Sequence, residues 1–185
     1  MSTLARILFP FVLAGAACAA FSQEQPVDKD AQRQQRLDIA DQGLAKLYGI
    51  QPDAKAAVQK GAGYAVFAVD SIYAVLFVGQ KGKGVLFDNA TGKPIFMSST
   101  RVGTGPGVGK QRVYQVFVFK TQGAMDQFLA AGNAGGDVGA SVSTGTDGMV
   151  RSFNPSIDIY QVPESGMAVQ ASWGGTVYTV DSDLQ

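Results

Sequence analysis

Tyr64-Ala-Val-Phe-Ala-Val69, Ile72-Tyr-Ala-Val-Leu-Phe-Val78 and Gly84-Val-Leu-Phe87 are the stretches on which the fold turns. Each is short, apolar on both faces and rich in valine and aromatic residues. Asp70-Ser71 parts the first from the second, and Gly79-Gln-Lys-Gly-Lys-Gly84 the second from the third. Runs of this length between turn-forming residues predict buried β-strands rather than helix. Connections so short predict antiparallel hairpins, because a parallel crossover needs a dozen residues or more. A meander with two apolar faces must be covered, so the flanking sequence is read for its cover.

The 185 residues suffice for one domain with a real core. Fifteen basic and fifteen acidic residues cancel, so overall charge gives no reason to expect nucleic acid as a partner. There is no histidine, which removes Ser-His and Cys-His nucleophile pairs, histidine metal sites and histidine proton shuttles. A single cysteine leaves neither a thiolate metal cluster nor an intrachain disulfide. No cofactor is expected. The 23 glycines suit a turn-rich β protein.

The first 22 residues read as an export signal: Arg6 before the apolar run Ile7 to Ala17, then small residues. That run is too short to span a bilayer. Cleavage after Ala20 or Ser22 discards Cys18. The alternative is a lipoprotein anchored through Cys18, although Gly15 stands where such signals carry leucine. Either route leads to a bacterial periplasm, with outer-membrane association as one form of it.

Residues 23–49 form a polar leader and an amphipathic helix. Leu37, Ala40, Leu44, Leu47 and Tyr48 recur three and four apart, with Arg33, Arg36, Asp38, Asp41 and Lys46 mostly elsewhere and Gly49 as the stop. This stripe is expected to lie on the sheet, since the mixed charges do not make a lipid-seeking basic face. Residues 50–185 form the main domain. Pro52 opens a second helix that ends at Lys60-Gly61. After the three strands come a turn at Asn89-Ala-Thr-Gly92 and strands at Pro94 to Ser98 and Val113 to Phe119. A short helix over Gly123 to Ala131 ends at Gly132. Gly136 to Ser143, Ile157 to Val162, Met167 to Trp173 and Thr176 to Val180 complete the strands.

Val102-Gly-Thr-Gly-Pro-Gly-Val-Gly-Lys110 invites comparison with a phosphate loop, and the spacing fails. Thr104 stands where a P-loop needs its first glycine, and Gln111 where it needs Ser or Thr. Val108 likewise breaks the dinucleotide fingerprint that Gly103 and Gly105 begin. Alternate glycines mark a strand that other groups approach closely.

Taken in order, Ile50-Gln-Pro52, Ala57-Val-Gln-Lys-Gly-Ala-Gly-Tyr-Ala-Val-Phe67, Gly82-Lys-Gly-Val-Leu86, the glycine ladder and Val116-Phe-Val-Phe119 resemble the SYLF domain family. Ala124-Met-Asp-Gln-Phe128, Gly139-Ala-Ser-Val-Ser-Thr-Gly145 and Ser165-Gly-Met-Ala-Val-Gln-Ala-Ser172 continue the resemblance, which covers about Ile50 to Gly175. Ala68, Tyr114 and the Trp173-Gly174-Gly175 ending depart from the pattern, so no site is carried over onto them. The resemblance implies a non-enzymatic lipid-binding domain. Its implied partner is an anionic phospholipid or membrane surface; actin, bound by some eukaryotic members, is not expected in a bacterial envelope.

The neutral total hides an asymmetry. Lys81, Lys83, Lys93, Arg101, Lys110, Arg112 and Lys120 face only Asp88 in the central block. Arg151 stands against seven acids from Thr121 onward. Lys81, Lys83, Arg101, Lys110 and Arg112 are therefore the candidate lipid-binding residues, forming a basic rim if the fold gathers them. Each cation near an anionic surface contributes about 1 kcal/mol. The competing expectations are that the two halves neutralise each other across the sheet, or that the lysines protect exposed edges. Trp173, Tyr73 and Phe96 are expected in the core.

The expected architecture is α+β: N-terminal helices and one internal helix on a twisted antiparallel sheet, in the limit barrel-like. The expected function is non-catalytic binding of lipid or a membrane surface in the cell envelope. The rival is an envelope interaction module that recognises a protein through an exposed strand edge. A histidine-free Ser-Lys enzyme is a third class, and no spacing in the chain singles out a pair for it.

Overall fold

The computed structural model describes residues 28–133, 149–150, 154–164 and 176–185. The Asp28 carboxylate accepts the backbone N–H groups of Asp30 and Ala31 at 3.0 and 3.2 Å and opens α1, Lys29–Ile50. This satisfies donors that a helix start leaves unpaired. Helix α1 passes through Gly49, the expected stop, and closes at Gln51, whose N–H donates to the Leu47 carbonyl. Helix α2, Ala54–Lys60, follows Pro52 and Asp53 and ends at Gly61.

Two strands of 26 residues then dominate: β1, Gly63–Asp88, and β2, Pro94–Phe119, paired antiparallel from Gly63↔Phe119 to Phe87↔Pro94. The turn between them is the expected one, with Gly92 at φ +68°. The three expected strands are thus one. Asp70-Ser71 and Gly79 to Gly84 are not connections, because each keeps its partner on β2: Asp70↔Arg112, Ser71↔Gln111, Lys81↔Thr100, Gly84↔Met97. Pro94 to Ser98, the glycine ladder and Val113 to Phe119 are likewise one continuous strand.

The change of direction expected at those turns occurs elsewhere. The β1–β2 register slips by one residue between Val75 and Phe77, and Val75 takes φ +59°. Bulges of this kind bend and twist a strand. Beyond the corner, β1 returns along its own first half. A Cβ on Gly84 would collide with the Val66 carbonyl oxygen and the Phe67 ring, and one on Gly63 with the Phe87 carbonyl oxygen. At the far end the Asn89 N–H donates to the Ala62 carbonyl at 3.0 Å. Glycine at positions 63 and 84 is therefore a packing requirement rather than a turn signal.

Helix α3, Gln122–Asn133, runs through Gly132, where an end was expected. Strand β3, Met149–Val150, was not anticipated. Strands β4, Ile157–Pro163, and β5, Thr176–Val180, match expectation, and a 3-10 turn spans Ser182–Leu184. The sheet order is β1-β2-β4-β3, with β5 on β2. Strand β4 pairs with Val113 to Phe119 and β5 with Met97 to Arg101, leaving β1 as the partner of β2 between them among the described strands. The fold is α+β as expected. The sheet is an open path that does not close into a barrel, since β1 and β3 lie at its opposite ends.

Each face of the sheet carries its own core. On one, Ala40 and Leu47 of α1 and Ala54 and Val58 of α2 pack on Val66, Val85, Tyr114, Val116 and Val118. On the other, Met125 and Phe128 of α3 pack on Phe67, Phe117, Phe119 and Tyr178, with ring centroids 5.0 to 5.9 Å apart. Expectation placed Arg36 with the polar residues of α1, yet it is 4% exposed and shares the seam with Ala40, Gly43 and Leu47. It donates to the carbonyls of Gly84 and Met97 and forms an ion pair with Asp181 at 2.6 Å. Asp181 also accepts the Ser98 hydroxyl at 2.8 Å. This pair ties α1 to the residues after β5. The expected export signal with Cys18, the strands at Gly136 to Ser143 and Met167 to Trp173, and Trp173 itself lie outside the described residues.

Two stability outcomes follow from this packing. Gly84→Ala must displace backbone and should cost about 2–3 kcal/mol in urea denaturation, whereas Gly79→Ala, with nothing within 4 Å, should stay within about 0.5 kcal/mol. Arg36→Met leaves Asp181 part-buried without its cation and should cost about 3–5 kcal/mol by the same measurement.

Candidate functional site

Four of the five candidate cations come to two adjoining hollows on the β1–β2 ribbon, one against α1 and the other reaching Ile72 near the corner. Helix α1 supplies Asp38 and Gln42, β1 supplies Lys81 and Lys83, and β2 supplies Arg112 and Tyr114 to a groove of about 330 Å³. Asp70 and Arg112 are shared with a second hollow of about 470 Å³, lined also by Ile72, Lys110 and Glu164. The lysines face solvent because β1 alternates there: Gly82 and Gly84 turn inward, Lys81 and Lys83 outward.

Their electrostatic states differ. Arg112 holds Asp70 across the strands, Nε to Oδ1 at 2.6 Å and Nη2 to Oδ2 at 3.0 Å. This hydrogen bond pushes the guanidinium pKa further above its ordinary value, so Arg112 is charged and already engaged. Lys83 donates to the Gln35 side chain at 3.3 Å. Among the described residues, Lys81, Lys83 and Lys110 form no ion pair. Asp38, Asp70 and Glu164 lie in the same hollows, so four cations face three acids and the collar is only weakly positive.

Arg101 does not join them. It is 6% exposed, four residues from fully buried Met97 on the same side of β2, and points into the molecule instead of toward a headgroup. The expectation that the acidic half neutralises the basic block holds in part. Lys120 is paired with Asp158 at 2.8 Å, while the three collar lysines are not so matched among the described residues.

Sequence reasoning missed the corner itself. Ile72 to Val78 was expected to be buried on both faces, and Tyr73 and Val78 are. However, Ile72, Val75, Leu76 and Phe77 are 56 to 70% exposed, and across the ribbon Val102 and Val108 are 77 and 80% exposed. The ladder places them on one stretch of the ribbon around the bulge, where Ala74 faces Val108, Gly79 faces Val102, and Phe77 faces Thr104. Glycines 103, 105, 107 and 109 on β2 supply no side chains to cover it. Tyr73 and Phe96, each 5% exposed, belong to the core as expected.

Among the described residues no group of three acidic, Cys or His side chains could hold a metal ion. No described helix is long and apolar enough to cross a membrane. What the site offers chemically is a set of lysine ammonium groups around an exposed apolar corner.

The chain is 32% identical over 147 residues to Beta cell expansion factor A of Aeromonas veronii. That match covers 79% of this chain and 56% of the relative, so the chain spans little more than half the length of the curated relative it matches. No family model matches the chain.

Burial pushes the phenols of Tyr114, Tyr64, Tyr48 and Tyr160 above the usual value. An unfolded phenol ionises at about 10, so the folded state loses stability as pH rises past about 10. The urea midpoint should accordingly fall between about pH 9 and about pH 11, and absorbance titration should show these phenols ionising earlier once the chain is unfolded.

Proposed function

We propose that this protein is a non-catalytic lipid-surface binding domain of a bacterial cell envelope, attracted to anionic headgroups by Lys81, Lys83 and Lys110. The observation that carries the reading is the gathering of these three lysines, without ion-pair partners among the described residues, in two hollows that share Asp70 and Arg112. The resemblance to SYLF domains supports it from the sequence side and implies the same class of ligand. The name of the Aeromonas relative specifies no ligand.

The magnitudes set the character of the binding. Three lysines at about 1 kcal/mol each give at most about 3 kcal/mol, reduced by Asp38 and Glu164 in the same hollows, against about 8 kcal/mol for micromolar affinity. Attraction of that size accelerates encounter and orients the domain, and salt screens it within about 10 Å at 0.1 M. Arg112 adds less than its formal charge because Asp70 holds it, and Arg101 adds nothing from the interior.

Co-sedimentation with vesicles tests the reading. The protein should prefer anionic to zwitterionic vesicles at about 0.1 M salt and lose most of that preference at about 0.5 M. K81E/K83E/K110E should abolish it, while K93E, on the distant β1–β2 turn, should leave it intact. Equal binding to both vesicle types would defeat the proposal. Capture of an envelope protein without any vesicle binding would favour the strand-edge interaction module instead.

A further inference from the structure

We propose that the corner of the β1–β2 ribbon is a shallow wedge that enters the acyl region of an anionic bilayer. This rests on the lipid-surface reading and adds to it the element that supplies most of the affinity. Ile72, Val75, Leu76, Phe77, Val102 and Val108 form an exposed apolar patch on the stretch, between the segments paired with β5 and β4, where β2 has β1 as its sole strand neighbour among the described strands. Exposed apolar side chains gathered in this way mark an interaction surface, whereas the same residues scattered singly would need no explanation.

The collar identifies the occupant. Lys110 lies two residues from Val108 on the same exposed face, and Lys81 four residues from Phe77. At about 3.3 Å per residue Lys110 stands about 7 Å behind Val108 and level with Ile72, its partner across the ladder, while Lys81 stands about 13 Å behind Phe77 and about 7 Å behind the row that holds Val102. Apolar elements at a membrane interface bury to about 5–10 Å, so the lysine collar meets the headgroups when the corner meets the acyl chains. A second copy of the chain is a poorer occupant. A symmetric contact between two corners would bring the two lysine collars together, and like charges oppose it.

The backbone limits the depth. Between Arg101 and Val113 the outer edge of β2 pairs with no described strand, and hydrocarbon cannot satisfy open N–H and C=O groups. The wedge therefore stops at the interface and does not span the membrane.

F77W places a reporter on the wedge, with the parent chain, whose only tryptophan is Trp173, as the reference. With vesicles of phosphatidylglycerol and phosphatidylcholine, F77W fluorescence should shift to the blue. Lipids brominated on the acyl chain should quench it several-fold more than they quench the parent. L76D/F77D alters side chains that are 62 and 70% exposed, so folding is expected to survive. It should lower vesicle affinity roughly tenfold or more, leaving a residual binding that salt removes. K81E/K83E/K110E should instead remove the anionic preference while the quenching of F77W by brominated lipid persists at high lipid concentration.

Sedimentation of the parent with anionic vesicles but no bromine quenching of F77W would overturn the wedge and leave headgroup attraction standing. Emission from F77W that is already blue without lipid and indifferent to it would overturn the wedge by showing the corner covered. A dimer in light scattering that L76D/F77D dissolves, with vesicles failing to compete for it, would assign the patch to a second copy. Absence of binding to any vesicle would remove both proposals.

Discussion

The structure depends on how closely one strand can lie against itself. Twenty-six residues of β-strand reach about 85 Å if straight, while a chain of 185 residues packs to a radius of gyration of about 16 Å. The β1–β2 ribbon fits only by doubling back, and it does so where Gly63 and Gly84 let backbone meet backbone without an intervening side chain. Once the ribbon is folded over, its two faces become two surfaces to be covered. Helices α1 and α2 take one and α3 the other. The buried Arg36–Asp181 pair then fastens α1 to the last described residues, so the helical cover is held by charge as well as by apolar contact.

The same folding creates the candidate site. A ribbon bent over on itself must have a corner, and the packed layers lie behind it. Among the described residues no second sheet layer or helix covers the corner side chains, so Ile72, Val75, Leu76 and Phe77 stay exposed. Residues set back from the corner return to ordinary strand alternation, with glycine inward and lysine outward. A patch of oily side chains ringed by ammonium groups thus follows from topology together with a few local residue choices. Neither the total charge nor the charge of the central block foretells it.

Much of the fold was legible because the apolar run at Tyr64 to Val69 is unbroken and that at Val113 to Phe119 is interrupted only by Gln115, and because the Asn89 to Gly92 turn has its customary chemistry. Asp70 misled because a polar residue after an apolar run reads as a turn. In the fold it is an exposed strand position whose charge is answered by Arg112 across the ladder. Gly79 to Gly84 misled for a related reason, since glycine serves both turns and close packing. The period-two alternation of Lys81, Gly82, Lys83 and Gly84 was the signal that separates the two uses. Counting by two from Met97 would likewise have turned Arg101 inward. Arg36 was recoverable from its place four residues before Ala40 and seven before Gly43. The exposed corner was not recoverable, because Ile72 to Val78 has the composition of a buried strand and only the tertiary fold leaves it uncovered.

Val75 has a consequence of its own. A β-branched residue at φ +59° sits in a region such side chains avoid, at a cost on the order of 1–3 kcal/mol. The surrounding layers must supply that energy, so the corner's curvature is imposed from outside the segment that displays it. A peptide excised from this stretch would carry every apolar and basic side chain in the right order and still relax to a flatter hairpin. The shape belongs to the domain and cannot be transplanted with the sequence.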